Sequence, residues 1–365
     1  MSQALLKIDN LRTYFYSRSK HAFVRAVDGV TLEVGERETV GVVGESGSGK
    51  SITAMSVMGL VGAGPGVIGG SIQFASAQGT INLLAGLENF VQIEERQGQV
   101  MSVSKDEAGW HASSERLMKK LRGKEISMIF QNPSASLNPY ITVGEQISES
   151  IRLHTNVKSA KEARERTMHW LAQVKIDSPR LRYDAYPSSM SGGMCQRAMI
   201  AMALSSEPSL LIADEPTTGL DATIQSKIVD LMEELKSESS ISTLLISHDI
   251  SVISRLSDRV AVMYGGAVVE YGPAKMLLDK AASIKHPYTA ALLASIPSEQ
   301  MIRDKAKLQT IEGEVLDTIN VPVGCRFYER CNQITPEIKA KCASNHPELQ
   351  EVSPGHHMRC WRFID

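Results

Sequence analysis

The chain has 365 residues, of which 42% are hydrophobic and 22% are charged, so it can hold one large or two to three modest globular domains. Its formal net charge of −2 provides no basic field for a nucleic acid, and no nucleic acid partner is expected. Residues 1–7 run into charged and polar sequence rather than the apolar core of a signal peptide, which predicts a cytoplasmic chain.

The first predicted unit is a strand, a loop and a helix. An apolar run at 39–43 predicts a buried strand, and a helix is predicted over 52–58. The loop between them reads Gly44-Glu45-Ser46-Gly47-Ser48-Gly49-Lys50-Ser51, which is the G-x-x-x-x-G-K-[ST] pattern of a phosphate-binding loop. Its glycines lack a Cβ, so backbone N–H groups can approach phosphate oxygens at the helix N-terminus. Lys50 is expected to reach the β- and γ-phosphates and Ser51 to ligate Mg²⁺, which predicts a nucleoside triphosphate site.

No membrane-spanning helix is predicted in the segments that follow. Residues 51–87 carry no charged side chain, but Pro65 and repeated glycines interrupt them, so a buried helix, a turn and a strand are predicted. Residues 160–171 have mixed charged and apolar faces and predict a helix. A further helical segment, 196–204, is opened by Ser191-Gly192-Gly193, and an anion site is expected at this helix N-terminus.

An apolar strand at 210–215 ends in two acids, Asp214 and Glu215. This form is expected where an aspartate orders Mg²⁺ and the following glutamate polarises an attacking water. Together with the phosphate loop, the pair predicts an ATPase.

The phosphate loop, the Ser-Gly-Gly segment and the acidic pair, in this order, resemble the ATP-binding cassette family. The resemblance implies an α/β fold with a P-loop NTPase core and an inserted α-helical subdomain. It also implies that Ser191, Gly192 and Gly193 contact the γ-phosphate bound on an opposite subunit, so that two cassettes close head to tail around two ATP molecules. Met190 stands where the family signature usually has leucine.

The resemblance assigns roles to four further positions. Gln131 matches the glutamine loop, which contacts Mg²⁺ and senses the membrane partner, and Asp221 matches the aspartate loop at the nucleotide. His248 matches the switch histidine, which would hold the γ-phosphate and orient Glu215. Phe15 falls where the family stacks an aromatic ring on adenine, and Tyr14 and Tyr16 are the alternatives. Because every catalytic position matches, a hydrolysing subunit is expected.

Within the family, five segments look like the ATPase subunits of dipeptide and oligopeptide importers: residues 129–133, Tyr186-Pro187, residues 191–194, His286-Pro287-Tyr288-Thr289 and Ser295-Ile296-Pro297. This implies a heterodimer with a second cassette ATPase, two membrane permease subunits and an extracytoplasmic solute-binding protein. It also implies a peripheral location at the cytoplasmic face of the cell (inner) membrane. Similar ATPases import nickel, glutathione or oligosaccharides, so the solute stays open.

Two departures from the family pattern stand out. Cys195 follows the signature where this group usually has a charged residue, and it is interpreted as a tolerated helix residue. Extra polar material at about 86–118 is predicted to be a solvated insertion, with a regulatory or partner surface as the alternative.

Four of the five cysteines, Cys325, Cys331, Cys342 and Cys360, cluster near the C-terminus. In a cytosolic chain such clustering indicates a metal or cluster site rather than disulfides. Peptide-importer ATPases have a similar set that ligates a [4Fe–4S] cluster, although the gap between Cys331 and Cys342 is longer than usual here. Zinc and unmetallated thiols are the alternatives. The nearby His346, His356 and His357 are expected at the surface.

The predicted organisation is an ATPase domain at 1–275, with its helical subdomain at about 140–205, followed by a cysteine-containing C-terminal regulatory domain at 276–365. The competing interpretation is a soluble cassette ATPase that acts on nucleic acid or ribosomes, or a binding switch without transport. A single cassette, the lack of sustained heptads and the near-neutral charge disfavour it.

Overall fold

The computed structural model describes residues 4–96, 99–296 and 310–364. These form two compact units, one from residues up to 5 with 34–39 and 116–247, the other from 6–33, 40–115 and the residues from 248 onward. Pro297, which belongs to one of the importer-like segments, lies outside the described residues, as do residues 1–3. The predicted domain boundary at residue 275 stays a prediction.

The strands, in chain order, are β1 (Ala4–Ser17), β2 (Ala22–Gly35), β3 (Thr39–Val43), β4 (Pro65–Ser76), β5 (Gly79–Asn82), β6 (Val91–Arg96), β7 (Gln99–Lys105), β8 (Ile126–Ile129), β9 (Leu210–Asp214), β10 (Ser242–Ile246), β11 (Arg259–Tyr264), β12 (Ala267–Pro273), β13 (Gln350–Ser353) and β14 (His356–Met358). The helices are α1 (Lys50–Val57), α2 (Glu107–Leu121), α3 (Pro133–Ser136), α4 (Val143–His154), α5 (Ala160–Gln173), α6 (Pro179–Tyr183), α7 (Gly192–Leu204), α8 (Ala222–Glu238), α9 (Ile250–Leu256), α10 (Ala274–Leu277), α11 (Pro287–Ala294) and α12 (Pro336–Ser344). This mixed α/β architecture is the predicted fold class.

In the first unit, β8, β9 and β10 form a parallel ladder. Ile129 pairs with Ala213 and Ile246 pairs with Asp214, so the carboxyl ends of all three strands lie at one edge. Every residue of β9 is buried, which explains its continuous apolar sequence, because a parallel strand is covered on both faces.

The helices of the first unit occupy much of the predicted helical subdomain, and α4, α5 and α7 pack on one another. Their starts are set by short polar side chains: Thr142 caps α4 and Ser159 caps α5. The α4–α5 contact contains buried hydroxyls, since the Oγ of Ser148 lies 2.9 Å from both Thr167 Oγ1 and the Tyr183 hydroxyl. These bonds satisfy polar groups that burial would otherwise penalise.

In the second unit, β2, β1, β4 and β5 form one antiparallel sheet, in that order. A second sheet pairs β3 with β11 in parallel, and β12, β14 and β13 continue it in antiparallel fashion. All five residues of β3 are buried. The strand therefore presents the loop that follows it at the edge of a rigid sheet.

The predicted solvated insertion at about 86–118 is folded. It contains a 3₁₀ turn (Leu87–Phe90), the antiparallel pair β6 and β7, and most of α2. Most side chains of β6 are exposed, and Glu95 pairs with Arg12 at 3.0 Å. Lys105 lies over the Trp110 ring and donates to the carbonyl of Pro65 at 2.6 Å, which ties the end of the hairpin to β4.

The expectation of three surface histidines near the C-terminus is wrong for His356. Its side chain is fully buried against the equally buried Glu270, with His356 Nε2 2.8 Å from Glu270 Oε1. The pairing follows from strand order, because β14 lies beside β12 and Glu270 is in β12. His346 and His357 are only partly buried. Among the described residues, no helix has both the length and the apolarity required to cross a bilayer.

Candidate nucleotide site

The phosphate loop begins where β3 ends and leads into α1. Gly49, the residue before α1, has a φ of 100°, and a Cβ there would lie 2.2 Å from the carbonyl oxygen of Ala26. At Gly44 a Cβ would lie 2.1 Å from the carbonyl oxygen of Met263. Only glycine fits these two positions, because the neighbouring atoms are backbone and cannot rotate away.

Lys50 is 6% exposed and its ammonium is held by the loop itself. Its Nζ donates to the carbonyl oxygens of Gly44 at 2.8 Å and Glu45 at 3.0 Å. The Ser48 N–H donates to the Glu45 carbonyl at 3.2 Å, which closes the turn. A cation and a helix N-terminus are thus collected within one loop, as an anionic phosphate requires. Ser51 follows in the first turn of α1, and Ser46 and Gly47 complete the loop.

Glu45 is bound by residues from the C-terminal part of the chain. Arg330 donates to both of its carboxylate oxygens, at 2.7 and 3.0 Å, and the Glu45 N–H donates to the Tyr288 hydroxyl at 2.8 Å. Arg330 was not predicted from the sequence. Its position directly before Cys331, inside the cysteine cluster, is the only local signal for it.

The acidic pair and Gln131 come together in the first unit. The Nε2 of Gln131 donates to Glu215 Oε2 at 2.9 Å, and the Thr218 hydroxyl donates to the same oxygen at 2.8 Å. Glu215 has a φ of 47° and its N–H donates to the carbonyl of Ile246 at 2.9 Å. A left-handed backbone at a non-glycine residue costs free energy, and such strain is concentrated at functional sites. Asp214 is buried at the end of β9.

The parallel ladder explains why Gln131 reaches Glu215. Gln131 follows β8 by two residues and Glu215 follows β9 by one, and the carboxyl ends of parallel strands meet at one sheet edge. Thr218, which sequence reasoning did not name, lies in the turn after the pair, where its N–H donates to the Glu215 carbonyl at 3.1 Å.

Ser191, Gly193 and Asp221 all contribute to helix starts and helix packing in the first unit. Ser191 caps α7, and its Oγ accepts from the Met194 N–H at 3.3 Å. Gly193 lies against α8, since a Cβ there would be 2.6 Å from Cγ2 of Ile224. Asp221 caps α8. The predicted nucleotide contacts of these residues, and of Gly192, stay predictions.

His248 and Phe15 both lie in the second unit. His248 is exposed and precedes Asp249, which caps α9. Phe15 is partly exposed near the end of β1. Tyr14 is a poor candidate for adenine stacking because its ring is 2% exposed and its hydroxyl donates to Asp28 at 2.5 Å. Tyr16 packs edge-to-face on Phe23.

The four C-terminal cysteines line one cavity of about 20 Å³. Burial raises the pKa of the Cys325 thiol to about 12 and that of Cys360 to about 11, so a metal that binds there must displace protons. Within residues 4–96, 99–296 and 310–364, no group of three or more histidine, cysteine or acidic side chains is arranged to hold a metal ion. Cys195 is separate and buried, with its Sγ 3.6 Å from the Pro187 carbonyl, as expected for a helix residue that packs.

The fold is that of a P-loop ATP-binding cassette. The chain superimposes with a TM-score of 0.56 and 22% identity on the dimeric post-hydrolysis structure of the ATP-binding cassette MJ0796 bound to ADP and Pi, over 74% of this chain and 98% of that one. A family model described as "ABC transporter" matches residues 27–218, and one described as "Oligopeptide/dipeptide transporter, C-terminal region" matches residues 269–337.

The similarity extends over nearly the full length of curated relatives. The oligopeptide transport ATP-binding protein AppD of Bacillus subtilis (strain 168) is 42% identical over 98% of this chain and 97% of its own length. The putative peptide import ATP-binding protein BOV_A0348 of Brucella ovis is 41% identical over 99% of this chain and 98% of its own length. This chain belongs to the ABC transporter family, and it is an ATPase subunit of that family.

Proposed function

We propose that the chain hydrolyses ATP to drive the uptake of di- or oligopeptides through partner permeases. The observation that carries this assignment is the match of residues 269–337 to the C-terminal region of oligopeptide and dipeptide transporters. The full-length similarity to peptide import subunits supports it. Import of nickel, glutathione or an oligosaccharide is the alternative within the same class.

In the proposed mechanism, Lys50 and the loop N–H groups bind the phosphates, and Phe15 stacks on adenine. Ser51, Gln131 and Asp214 would hold Mg²⁺, which when bound neutralises phosphate charge. Glu215 polarises the water and accepts its proton. Its carboxylate is already oriented by the Gln131 amide and the Thr218 hydroxyl, which supports this role. His248 holds the γ-phosphate.

The chain is further proposed to pair with a second, different cassette. Ser191, Gly192, Gly193 and Asp221 would then act on the nucleotide bound by that neighbour. ATP would drive the cycle because it binds the closed pair more tightly than the open pair. Ser191 would then have two roles: it caps α7 in its own chain, and it would act on the nucleotide bound by the neighbour. A substitution with a matched control can distinguish them.

Ser191→Ala is expected to lower the rate of ATP hydrolysis by the assembled pair at least tenfold. Loss of the α7 cap should also lower the free energy of unfolding by about 1 kcal/mol. Ser159→Ala is the matched control, because Ser159 caps α5 in the same unit but lies outside every nucleotide motif. Thermal unfolding and ATPase rates of both variants separate the two effects. Equal ATPase rates in the two variants would leave Ser191 with a capping role alone.

We also propose a peripheral location at the cytoplasmic face of the inner membrane, with two permease subunits and an extracytoplasmic solute-binding protein as partners. The test is to tag the chain in its native host, extract membranes in mild detergent and identify by mass spectrometry what co-purifies. Two multi-span proteins and a second cassette are expected. Recovery as a soluble dimer alone, or with ribosomes or nucleic acid, would contradict the proposal.

The four C-terminal cysteines are proposed to hold a [4Fe–4S] cluster. All four line one cavity, and four thiolates are the donor set of such a cluster. The cluster, when bound, supplies iron–thiolate bonds that cross-link the C-terminal region. Since the ATPase motifs require no redox step, its role is structural or regulatory.

Anaerobically purified protein is expected to contain four iron and four sulfide ions per chain, as [4Fe–4S] stoichiometry requires, with roughly complete loss of both in Cys331→Ser. Cys195→Ser is the matched control and should retain them, because this buried thiol is not among the cavity-lining residues and its Sγ contacts the Pro187 carbonyl. Zinc in place of iron, or thiols without metal, would refute the cluster.

A further inference from the structure

A residue far along the chain, Arg330, binds the side chain of Glu45 in the phosphate loop. Both guanidinium nitrogens Nη1 and Nη2 of Arg330 donate to the two carboxylate oxygens of Glu45, at 2.7 and 3.0 Å. The Arg330 side chain is 5% exposed and that of Glu45 is 22% exposed. A bidentate, largely buried pair of this kind fixes the orientation of both partners.

The same loop residue is fixed through its backbone. The Glu45 N–H donates to the Tyr288 hydroxyl at 2.8 Å, and Lys50 donates to the Glu45 carbonyl at 3.0 Å. Glu45 therefore has its carboxylate, its N–H and its carbonyl all engaged. Because Lys50 is the loop's cation, a shift of Glu45 would be transmitted directly to it.

Arg330 is itself held in place by its neighbours. Its Nε donates to the Glu312 carbonyl at 3.0 Å, and its Nη1 lies 3.3 Å from the Tyr264 hydroxyl. The rings of Tyr264, Tyr288 and Phe327 pack together with centroids 4.7 to 5.4 Å apart. The pKa of Arg330 is raised further above its usual value by the hydrogen bond to Glu45, so the guanidinium stays charged.

The chain segment that carries Arg330 also lines the cysteine cavity. Arg330 is the last residue of the 3₁₀ turn Tyr328–Arg330, which lies between Cys325 and Cys331. The Tyr328 N–H donates to the Cys325 carbonyl at 3.0 Å, and the Cys331 N–H donates to the Tyr328 carbonyl at 3.3 Å. Phe327, Tyr328 and both cysteines line the cavity. The backbone that carries Arg330 is therefore pinned at both ends by cavity-lining cysteines.

We propose that Arg330 is a positioning residue that holds the phosphate loop in its nucleotide-binding shape through Glu45, and that the state of the four-cysteine cavity is transmitted to the loop through it. The second half of this inference rests on the proposed cluster. By thermodynamic linkage, nucleotide binding and occupancy of the cavity must then affect each other equally. Loss of the cluster would loosen the turn and weaken nucleotide binding.

The first test compares Arg330→Gln, Arg330→Lys and Glu45→Gln in the complex purified from membranes. Arg330→Gln and Glu45→Gln are each expected to raise the Kd for a fluorescent ATP analogue about tenfold or more, with the KM for ATP rising and kcat little changed. Arg330→Lys should recover part of the affinity, since lysine keeps the charge but not the bidentate bond. The double variant should be no worse than either single one.

Arg164→Gln is the matched control, because Arg164 donates to both carboxylate oxygens of Asp184 but belongs neither to the loop nor to the cavity lining. It should leave nucleotide affinity unchanged. Thermal melting of each variant checks folding. If Arg330→Gln does not fold, Glu45→Gln alone tests the positioning role. Unchanged affinity in both Arg330→Gln and Glu45→Gln, or fully additive effects in the double variant, would overturn the positioning role.

The second test measures iron content and nucleotide affinity separately before and after chelation. Wild-type protein is expected to lose nucleotide affinity as it loses iron. Glu45→Gln, which lacks the charged pair with Arg330, should show no further loss. Iron that is bound and removed with no change in wild-type affinity would overturn the coupling while leaving the cluster intact. Protein that never contains iron would overturn the cluster and the coupling together, and the positioning role would then rest on the first test.

Discussion

Replacing Glu215 with glutamine is expected to abolish ATP hydrolysis while ATP binding is retained. Glutamine has almost the same shape, so the turn after β9 and the N–H bond to Ile246 should survive. The amide cannot accept a proton, however, and loss of a general base costs about 10²- to 10⁴-fold in rate. The measurement is the steady-state ATPase rate of the assembled complex beside the Kd of a fluorescent ATP analogue.

Glu234→Gln is the control for this substitution. Glu234 is an exposed acid on α8 whose contact is an ion pair with Lys175, so its loss should leave hydrolysis unchanged. Hydrolysis at the normal rate by Glu215→Gln would remove Glu215 from the catalytic role. Loss of binding together with hydrolysis would instead indicate that Glu215 acts by maintaining structure.

Gly49→Ala is expected to destroy nucleotide binding, with a Kd raised at least about a hundredfold. The added Cβ would lie 2.2 Å from the Ala26 carbonyl oxygen at a φ of 100°, so the turn before α1 must be displaced. The matched control is Gly47→Ala, which has a φ of 79° but no atom within 4 Å of the added Cβ. It carries only the left-handed backbone penalty of about 1–2 kcal/mol, a loss of roughly tenfold.

Nucleotide titration followed by fluorescence distinguishes the two variants, and circular dichroism confirms that both fold. Equal, small losses in both variants would mean that the close approach of the loop to Ala26 is not required for binding. Glycine at position 49 would then have no steric explanation.

The nucleotide motifs could be predicted from sequence because they are local. The strand predicted over 39–43 is β3, and the one predicted over 210–215 is β9, which ends one residue earlier. Both are buried on two faces, so their sequences are continuously apolar and easily recognised. The loop pattern depends on glycines whose positions are set by the turn itself. Local chemistry of this kind is visible without knowledge of distant contacts.

The contacts that could not be predicted join residues far apart in the chain. Arg330 and Glu45 are separated by 285 positions, and His356 and Glu270 by 86. Each arginine or histidine alone is most often a surface residue, and only the tertiary fold brings its partner to it. The sequence of β6 and β7 likewise gave no clear strand signal, because most side chains of β6 are exposed and its apolar alternation is limited to Val91 and Ile93.

The most direct test of the central claim is ATP-driven peptide uptake into proteoliposomes that contain the complex purified from native membranes. With the solute-binding protein added, labelled peptide should accumulate only when ATP is supplied on the side of this chain, and accumulation should stop with Glu215→Gln. ATP hydrolysis without movement of any peptide would contradict the peptide assignment. Uptake that continues with Glu215→Gln would contradict the claim that hydrolysis by this chain drives transport.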